Sequence, residues 1–247
     1  MNLAETAQAC GVVLAGGQGT RIRHLYPDLP KPMIPAAGRP FIEWVLRWLA
    51  EQGLNKCVVS LGHLSDVAER YFATRPDSGL NIRSVRETMP LGTGGAIALA
   101  ALAAPEAELF VVTNGDSLVL AELSPVWQML RDPQLDGAVV GLEVDDASRY
   151  GRLDVGANGR LLRFSEKQPG RGLINGGVYV LRRRLIERFA STRPLSIETQ
   201  VFPALLGQGA QLAVYACRAP FLDIGTPESV AHAEAFIQTH FSRQVAA

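Results

Sequence analysis

Gly11-Val12-Val13-Leu14-Ala15-Gly16-Gly17-Gln18-Gly19-Thr20-Arg21 is the stretch on which the reading of this chain turns. A short apolar run that ends in glycines reads as a buried strand. The glycines let the backbone turn sharply and approach a ligand closely. Successive exposed N–H groups can form a nest for phosphates, and Arg21 places a fixed positive fork beside it. A strand–turn junction without a ligand remains the other reading of this segment. Two sharper readings fail on spacing. A dinucleotide fingerprint needs a third glycine where Ile22 stands, and the P-loop pattern G-x-x-x-x-G-K-[ST] is absent.

Working outward, residues 16–40 are rich in Gly and Pro and read as a long loop, which is uncommon in a compact domain unless it has a function. Pro40 can open a helix that runs to Gln52 and ends at Gly53, with Phe41, Val45, Trp48 and Leu49 at helical spacing. Strands follow at 56–61 and 81–85, with a helix at about 64–73 between them. A loop over 87–95, a helix at about 96–103 and a buried strand at 109–113 complete this part. Alternation of strand and helix argues for a parallel sheet with helices on both faces. After about residue 137 the pattern changes to antiparallel strands mixed with helices. Strands are expected at 137–144, 152–155, 160–164, 174–181 and 211–217, with Asn158-Gly159 as a two-residue hairpin turn. The last helix takes Thr226 as its N-cap and Pro227 at its first position, and reaches about Phe241. The reading is a single α/β domain over 1–247 in two halves, at about 10–136 and about 137–241.

Composition narrows the function. Residues of the hydrophobic set make up 47% of the 247, enough for a sizeable core and too many for a disordered chain. Formal net charge is zero, so neither nucleic acid nor a membrane surface is expected as the main partner. Three widely spaced cysteines, Cys10, Cys57 and Cys217, form no disulfide or zinc pattern; each is expected buried, in a reducing cytoplasm. The N-terminal stretch 1–6 lacks the features of a signal peptide. The four histidines make no metal-ligand spacing and read as surface or packing residues. The only lysines are Lys31, Lys56 and Lys167. A chain that otherwise uses arginine is expected to keep lysine where a compact ammonium is required, and Pro30 and Pro32 stiffen the backbone around Lys31.

Leu14 to Ile22 followed by Pro30-Lys31-Pro32 resembles the signature of sugar-1-phosphate nucleotidyltransferases. Later motifs arrive in the same order over 10–241: Pro90 to Ala96, Asn114-Gly115-Asp116, Phe164 to Lys167, Ile174 to Gly177, and Asp223 to Pro227. Many members carry Pro-Leu-Thr after the arginine-rich start, where this chain has Arg23-His24-Leu25-Tyr26-Pro27-Asp28. That departure, with the segments 90–95 and 173–179, looks most like the branch that activates D-glycero-α-D-manno-heptose 1-phosphate with GTP. The runner-up is a uridylyl- or thymidylyltransferase for a hexose or amino-sugar phosphate. A non-catalytic nucleotide-sugar-binding subunit is the reading from another class, although such subunits often lose the metal carboxylates.

The resemblance implies a Rossmann-like, GT-A-like fold: a mixed, mainly parallel sheet with an antiparallel sugar-binding part. It implies Mg²⁺ as cofactor, an NTP and a sugar 1-phosphate as substrates, and a product for lipopolysaccharide, capsule or S-layer glycan; a homo-oligomer is compatible. It assigns catalysis to Arg21, Lys31, Asp116 and Asp223, the two aspartates holding the metal. It sets Leu14, Ala15, Gly16, Gly17, Gly19, Thr20, Arg21, Glu87, Leu91, Gly92, Thr93, Asn114 and Gly115 around the nucleotide. Gly151, Glu166, Lys167, Asn175 and Gly176 are assigned to the sugar phosphate. The chemistry of the residues agrees at Asp116, a carboxylate at a strand's carboxyl end, where α/β sheets place ligands, and hard oxygen donors suit Mg²⁺. Taken alone, either aspartate could cap a turn; Asp223 could cap the final helix, though Thr226 is better placed. The chain ends soon after the last helix, so no appended acyltransferase β-helix is expected.

Overall fold

The computed structural model describes residues 8–74 and 79–242; the stretch 1–6 considered above as a leader lies outside the described residues. β1 (Ala9–Ala15) lies between β6 (Leu109–Asn114) and β4 (Lys56–Leu61), and β5 (Asn81–Arg86) pairs with β4, all parallel. The chain winds from β1 outward to β4 and β5, then returns across to β6. The direction of winding reverses between β1 and β6, and an open α/β sheet binds ligands at the strands' carboxyl ends at such a point.

Successive side chains of a strand face opposite ways, and the buried positions divide accordingly. Val13, Val59 and Val111 share one core with α1 (Phe41–Glu51) and the last helix; Val12, Val58 and Val112 share another with α3 (Gly92–Leu102). Phe41, Trp44 and Leu49 of α1 are fully buried, and each such side chain contributes about 1.5–3 kcal/mol by leaving water. Trp44 Nε1 donates to Ala36 O at 2.9 Å and Trp48 Nε1 to Ala121 O at 3.2 Å. Both indole donors are satisfied, and α1 is thereby fastened to the segment after Lys31 and to the one after β7 (Ser117–Val119). α2 (Ser65–Thr74) links β4 to β5.

The other half of the mixed, mainly parallel sheet is organised by β11 (Gly172–Arg182), antiparallel to β6 on one side and to β8 (Gly137–Val144) on the other. β12 (Leu212–Cys217) continues parallel to β8, and the β9 (Arg152–Val155) and β10 (Leu161–Ser165) hairpin joins at one end of β11. α7 (Pro227–His240) closes the fold, with Thr226 Oγ1 accepting from Ser229 N at 3.2 Å as the expected cap. Among the described residues, no helix is long and apolar enough to cross a membrane.

Several local readings are corrected. Residues 16–40 are not all loop: they contain a 3₁₀ turn over Lys31–Met33 and a hairpin of β2 (Pro35–Ala36) and β3 (Arg39–Pro40), anchored by buried Met33 and Ile34. Pro40 caps α1 from extended backbone, and the helix begins at Phe41. α3 begins at Gly92, not 96. A Cβ on Gly94 would stand 3.1 Å from Leu195 O, and one on Gly95 2.7 Å from Arg193 Cδ; these glycines serve close packing within a helix, not a loop. The Asn158-Gly159 turn has three residues. Gly156 N donates to Arg160 O at 2.9 Å, and Gly159 takes φ +74° while Asn158 does not enter the left-handed region, the geometry of a type I turn closed by a glycine. α4 (Ser124–Met129), α5 (Arg183–Ile186), a π turn over Ile197–Val201, α6 (Phe202–Gly207) and β13 (Phe221–Asp223) were not predicted; each is too short for periodicity to show. Cys10 and Cys57 are buried as expected, but Cys217 is partly exposed. Lys56 forms a surface pair with Glu106 at 3.2 Å, so lysine scarcity alone does not mark a site.

Candidate active site

The glycine turn leaves the sheet between two neighbouring strand ends, because Leu14 lies in register with Ser60 of β4 and Asn114 of β6. A Cβ on Gly62, just beyond β4, would stand 2.5 Å from the Gly16 carbonyl oxygen; one on Gly16 would stand 2.2 Å from Glu87 Oε1. The Gly62 gap is bounded by backbone, so only a hydrogen fits there and the ends of β1 and β4 close on one another; at Gly16 the neighbour is the Glu87 carboxylate, reaching over from the end of β5. Glu87 is held there by Ser60 Oγ, which donates to Oε1 at 3.1 Å, and by Leu91 N, which donates to Oε2 at 3.2 Å.

A cleft of about 620 Å³ opens over this turn, and a recess of about 170 Å³ adjoins it, sharing Lys31 and Asp116. Leu14, Ala15, Gly16, Gly17, Gly19, Thr20, Arg21, Lys31, Glu87, Gly92, Thr93, Asn114, Asp116 and Asp223 border one or both. Two residues expected at the nucleotide stand behind the lining. The Leu91 carbonyl accepts from Leu195 N at 2.8 Å, and Gly115 N donates to Leu14 O at 2.8 Å; both brace the cleft from within. His63 and Met89 also border it without having been singled out. His63 Nε2 is 2.8 Å from Arg23 Nη2.

The acidic pair forms through the least legible part of the sequence. β13 pairs with β7 so that Asp223 lies opposite Ser117, and Ile224 N donates to Asp116 O at 3.1 Å. This two-stranded ribbon carries Asp223 to the end of β6. Lys31 Nζ donates to Asp116 Oδ2 at 2.5 Å and to Asp223 Oδ1 at 3.3 Å. The Lys31 side chain is 10% exposed and the two carboxylates 31% and 30%. The ammonium is thus largely desolvated and paired, while the carboxylates keep a face toward the cleft. Buried Pro32 and the 3₁₀ turn fix Lys31 from below. Arg21 Nη2 lies over Gly225, 3.2 Å from where a Cβ would be, on the side of Asp223.

Among the described residues, no cluster of three or more His, Cys, Asp or Glu could hold a metal by itself. Two carboxylates are what Mg²⁺ takes when substrate phosphates supply further oxygens. Asp116 and Asp223 fit that pattern, since both already face a single cation, the Lys31 ammonium.

The residues expected at the sugar phosphate gather at one end of the antiparallel part. Ser165 pairs with Arg152, Arg152 with Ile174, and Asn175 N donates to Gly151 O at 3.0 Å. A Cβ on Gly177 would lie 2.9 Å from Asn114 Nδ2, so this end abuts the cleft. Glu166 and Lys167 follow β10 as exposed residues, outside the cleft lining. Gly176 is buried, with Val140 O 2.9 Å from where a Cβ would be. Asn175 Nδ2 donates to Tyr179 Oη at 2.8 Å and to Glu198 Oε1 at 2.7 Å, and Tyr179 Oη donates to Glu198 at 3.2 Å. Burial, and then the charge of Glu198, pushes the Tyr179 phenol well above its ordinary range, so it stays a donor. Glu198 was missed; it sits in the π turn, and such turns recur at functional sites, but no sequence periodicity announces one.

Against known proteins, the model of the nucleotidyl transferase family matches residues 10–240. A mannose-1-phosphate guanylyltransferase of Mycobacterium tuberculosis is 36% identical over 226 residues, covering 90% of this chain and 63% of that protein, so the chain spans less than two thirds of it. A D-glycero-alpha-D-manno-heptose 1-phosphate guanylyltransferase of Campylobacter jejuni is 33% identical over 224 residues, covering 90% of this chain and 96% of the relative. The crystal structure of HddC from Yersinia pseudotuberculosis complexed with GMP-PN superposes with a TM-score of 0.77 at 32% identity, covering 92% of this chain and 98% of that one.

Proposed function

We propose that this chain, which belongs to the nucleotidyl transferase family, transfers a guanylyl group from GTP to D-glycero-α-D-manno-heptose 1-phosphate. The products are GDP-heptose, for cell-surface polysaccharide synthesis in the cytoplasm, and pyrophosphate. The observation that carries the reading is the convergence of Lys31, Asp116 and Asp223 beside the glycine turn. The heptose choice is supported by the likeness to D-glycero-alpha-D-manno-heptose 1-phosphate guanylyltransferases, 31% and 33% identical over 92% and 90% of this chain.

A sugar-phosphate oxygen attacks the α-phosphorus in line while the bond to pyrophosphate breaks. Both reactants are anions, so the protein must bring like charges together and neutralise what builds up. The N–H groups of the turn and Arg21 hold the triphosphate, and Lys31 supplies positive charge between the reacting phosphates. Asp116 and Asp223 would hold Mg²⁺, which when bound neutralises phosphate charge and helps to align the reactants. Glu87 and the start of α3 border the place of the base. Gly151, Glu166, Lys167, Asn175 and Gly176 receive the sugar phosphate. Little covalent work is left to the side chains, and orienting bound reactants recovers about 7–11 kcal/mol of barrier.

Incubating the protein with Mg²⁺, each NTP and a panel of sugar 1-phosphates, including the heptose and mannose, tests this by pyrophosphate release. The expected result is turnover with GTP and the heptose 1-phosphate above every other pair. Equal turnover with UTP or dTTP, or none with the heptose, would overturn the substrate assignment.

A further inference from the structure

Lys31 stands where the two carboxylates have their charge compensated. Its ammonium contacts Asp116 Oδ2 and Asp223 Oδ1, its side chain is almost withdrawn from water, and its backbone is clamped in the 3₁₀ turn by a following buried proline. Asp116 lies in the turn between β6 and β7 and Asp223 ends β13, more than 100 residues later, and β7–β13 pairing holds their backbones side by side. Two carboxylates brought together repel unless a cation sits between them. We infer that Lys31 is a resident counter-cation that positions the metal carboxylates and excludes a free divalent ion. The ion then enters only when a triphosphate draws the ammonium away. This deepens the proposed function and rests on its assignment of the metal to Asp116 and Asp223. It gives Lys31 a task before chemistry, distinct from holding phosphate: a metal ion bound without its nucleotide is kept out of the site.

The test reads metal binding, not turnover. Mn²⁺ alone is titrated into wild type, Lys31→Met and Lys31→Arg without nucleotide, and free Mn²⁺ is followed by electron paramagnetic resonance. Removing the charge while keeping the side-chain length should tighten Mn²⁺ binding at least tenfold. Lys31→Arg, which keeps the charge, should stay as weak as wild type, which separates charge from packing. Adding Asp116→Asn or Asp223→Asn to Lys31→Met should abolish the gained site. Far-ultraviolet circular dichroism and melting of each variant check the fold, and Lys31→Gln replaces Lys31→Met if the latter does not fold. Equal Mn²⁺ affinity in wild type and the neutral variant, whether tight or weak, would overturn the inference. The metal assignment itself fails separately, if the site gained by Lys31→Met survives loss of both carboxylates.

Discussion

Replacing Gly62 with alanine should damage both stability and turnover, although Gly62 contacts no proposed substrate group through a side chain. The added Cβ would stand 2.5 Å from Gly16 O and 2.8 Å from Gly16 Cα. Both are backbone atoms, so no flexible side chain can swing away. To reach ordinary contact the end of β4 and the glycine turn must part by about 0.9 Å, an overpacking that costs about 1–3 kcal/mol. For a chain of this size each kcal/mol lowers Tm by about 2–4 °C, so a fall of about 2–12 °C is expected. A shift near 1 Å in groups that align phosphates costs about 10²-fold in rate. Gly17→Ala is the matched control. Nothing lies within 4 Å of its Cβ position, so Tm should hold while KM for the nucleotide rises, because the methyl group enters the phosphate place. Thermal melts and initial rates of pyrophosphate release read both variants. Wild-type Tm and kcat/KM in Gly62→Ala would refute the claim that close backbone approach builds this site.

Other outcomes follow from the same geometry. Lys167→Ala should raise KM for the sugar phosphate, leave KM for the nucleotide alone and change stability by less than about 0.5 kcal/mol, since its side chain is exposed; an unchanged sugar-phosphate KM would count against its assignment. Thr226→Ala should cost about 1 kcal/mol by removing the cap of α7, seen as a lower midpoint in urea. Burial pushes the Cys10 thiol up to about 11. The thiolate that reacts is therefore scarce below that value, and at pH 8 a disulfide reagent should modify partly exposed Cys217 first, Cys10 and Cys57 only after unfolding.

Of the parallel half, β1, β4 and β6 were legible because they are largely apolar runs that meet glycines at their carboxyl ends, and elsewhere limits were read directly where apolar runs are long. β4 over Lys56–Leu61 and β8 over Gly137–Val144 match their expected limits. The glycine turn, Lys31 and Asp116 were legible because each stands at a strand end or in a rigid frame. What brings Asp223 to them was not. β7 and β13 have three residues each, too few to show a period, and their pairing is a tertiary event. Gly94 and Gly95 misled for a related reason: glycine in a sequence signals a turn, whereas here it marks where the segment at Leu195 and Val201, and the Arg193 side chain, press against a helix. The π turn that offers Glu198 to Asn175 and Tyr179 depends on packing around Ile197 and Phe202, residues that alone say only that the segment is buried.

Turnover of Asp116→Asn and Asp223→Asn across a magnesium titration tests the central claim most directly. Each substitution keeps size and shape and removes one charge from the pair that faces Lys31. The account predicts that kcat falls by orders of magnitude in both variants, that added magnesium recovers only part of it, and that melting shows the fold intact. Wild-type turnover in both variants at ordinary magnesium would contradict it.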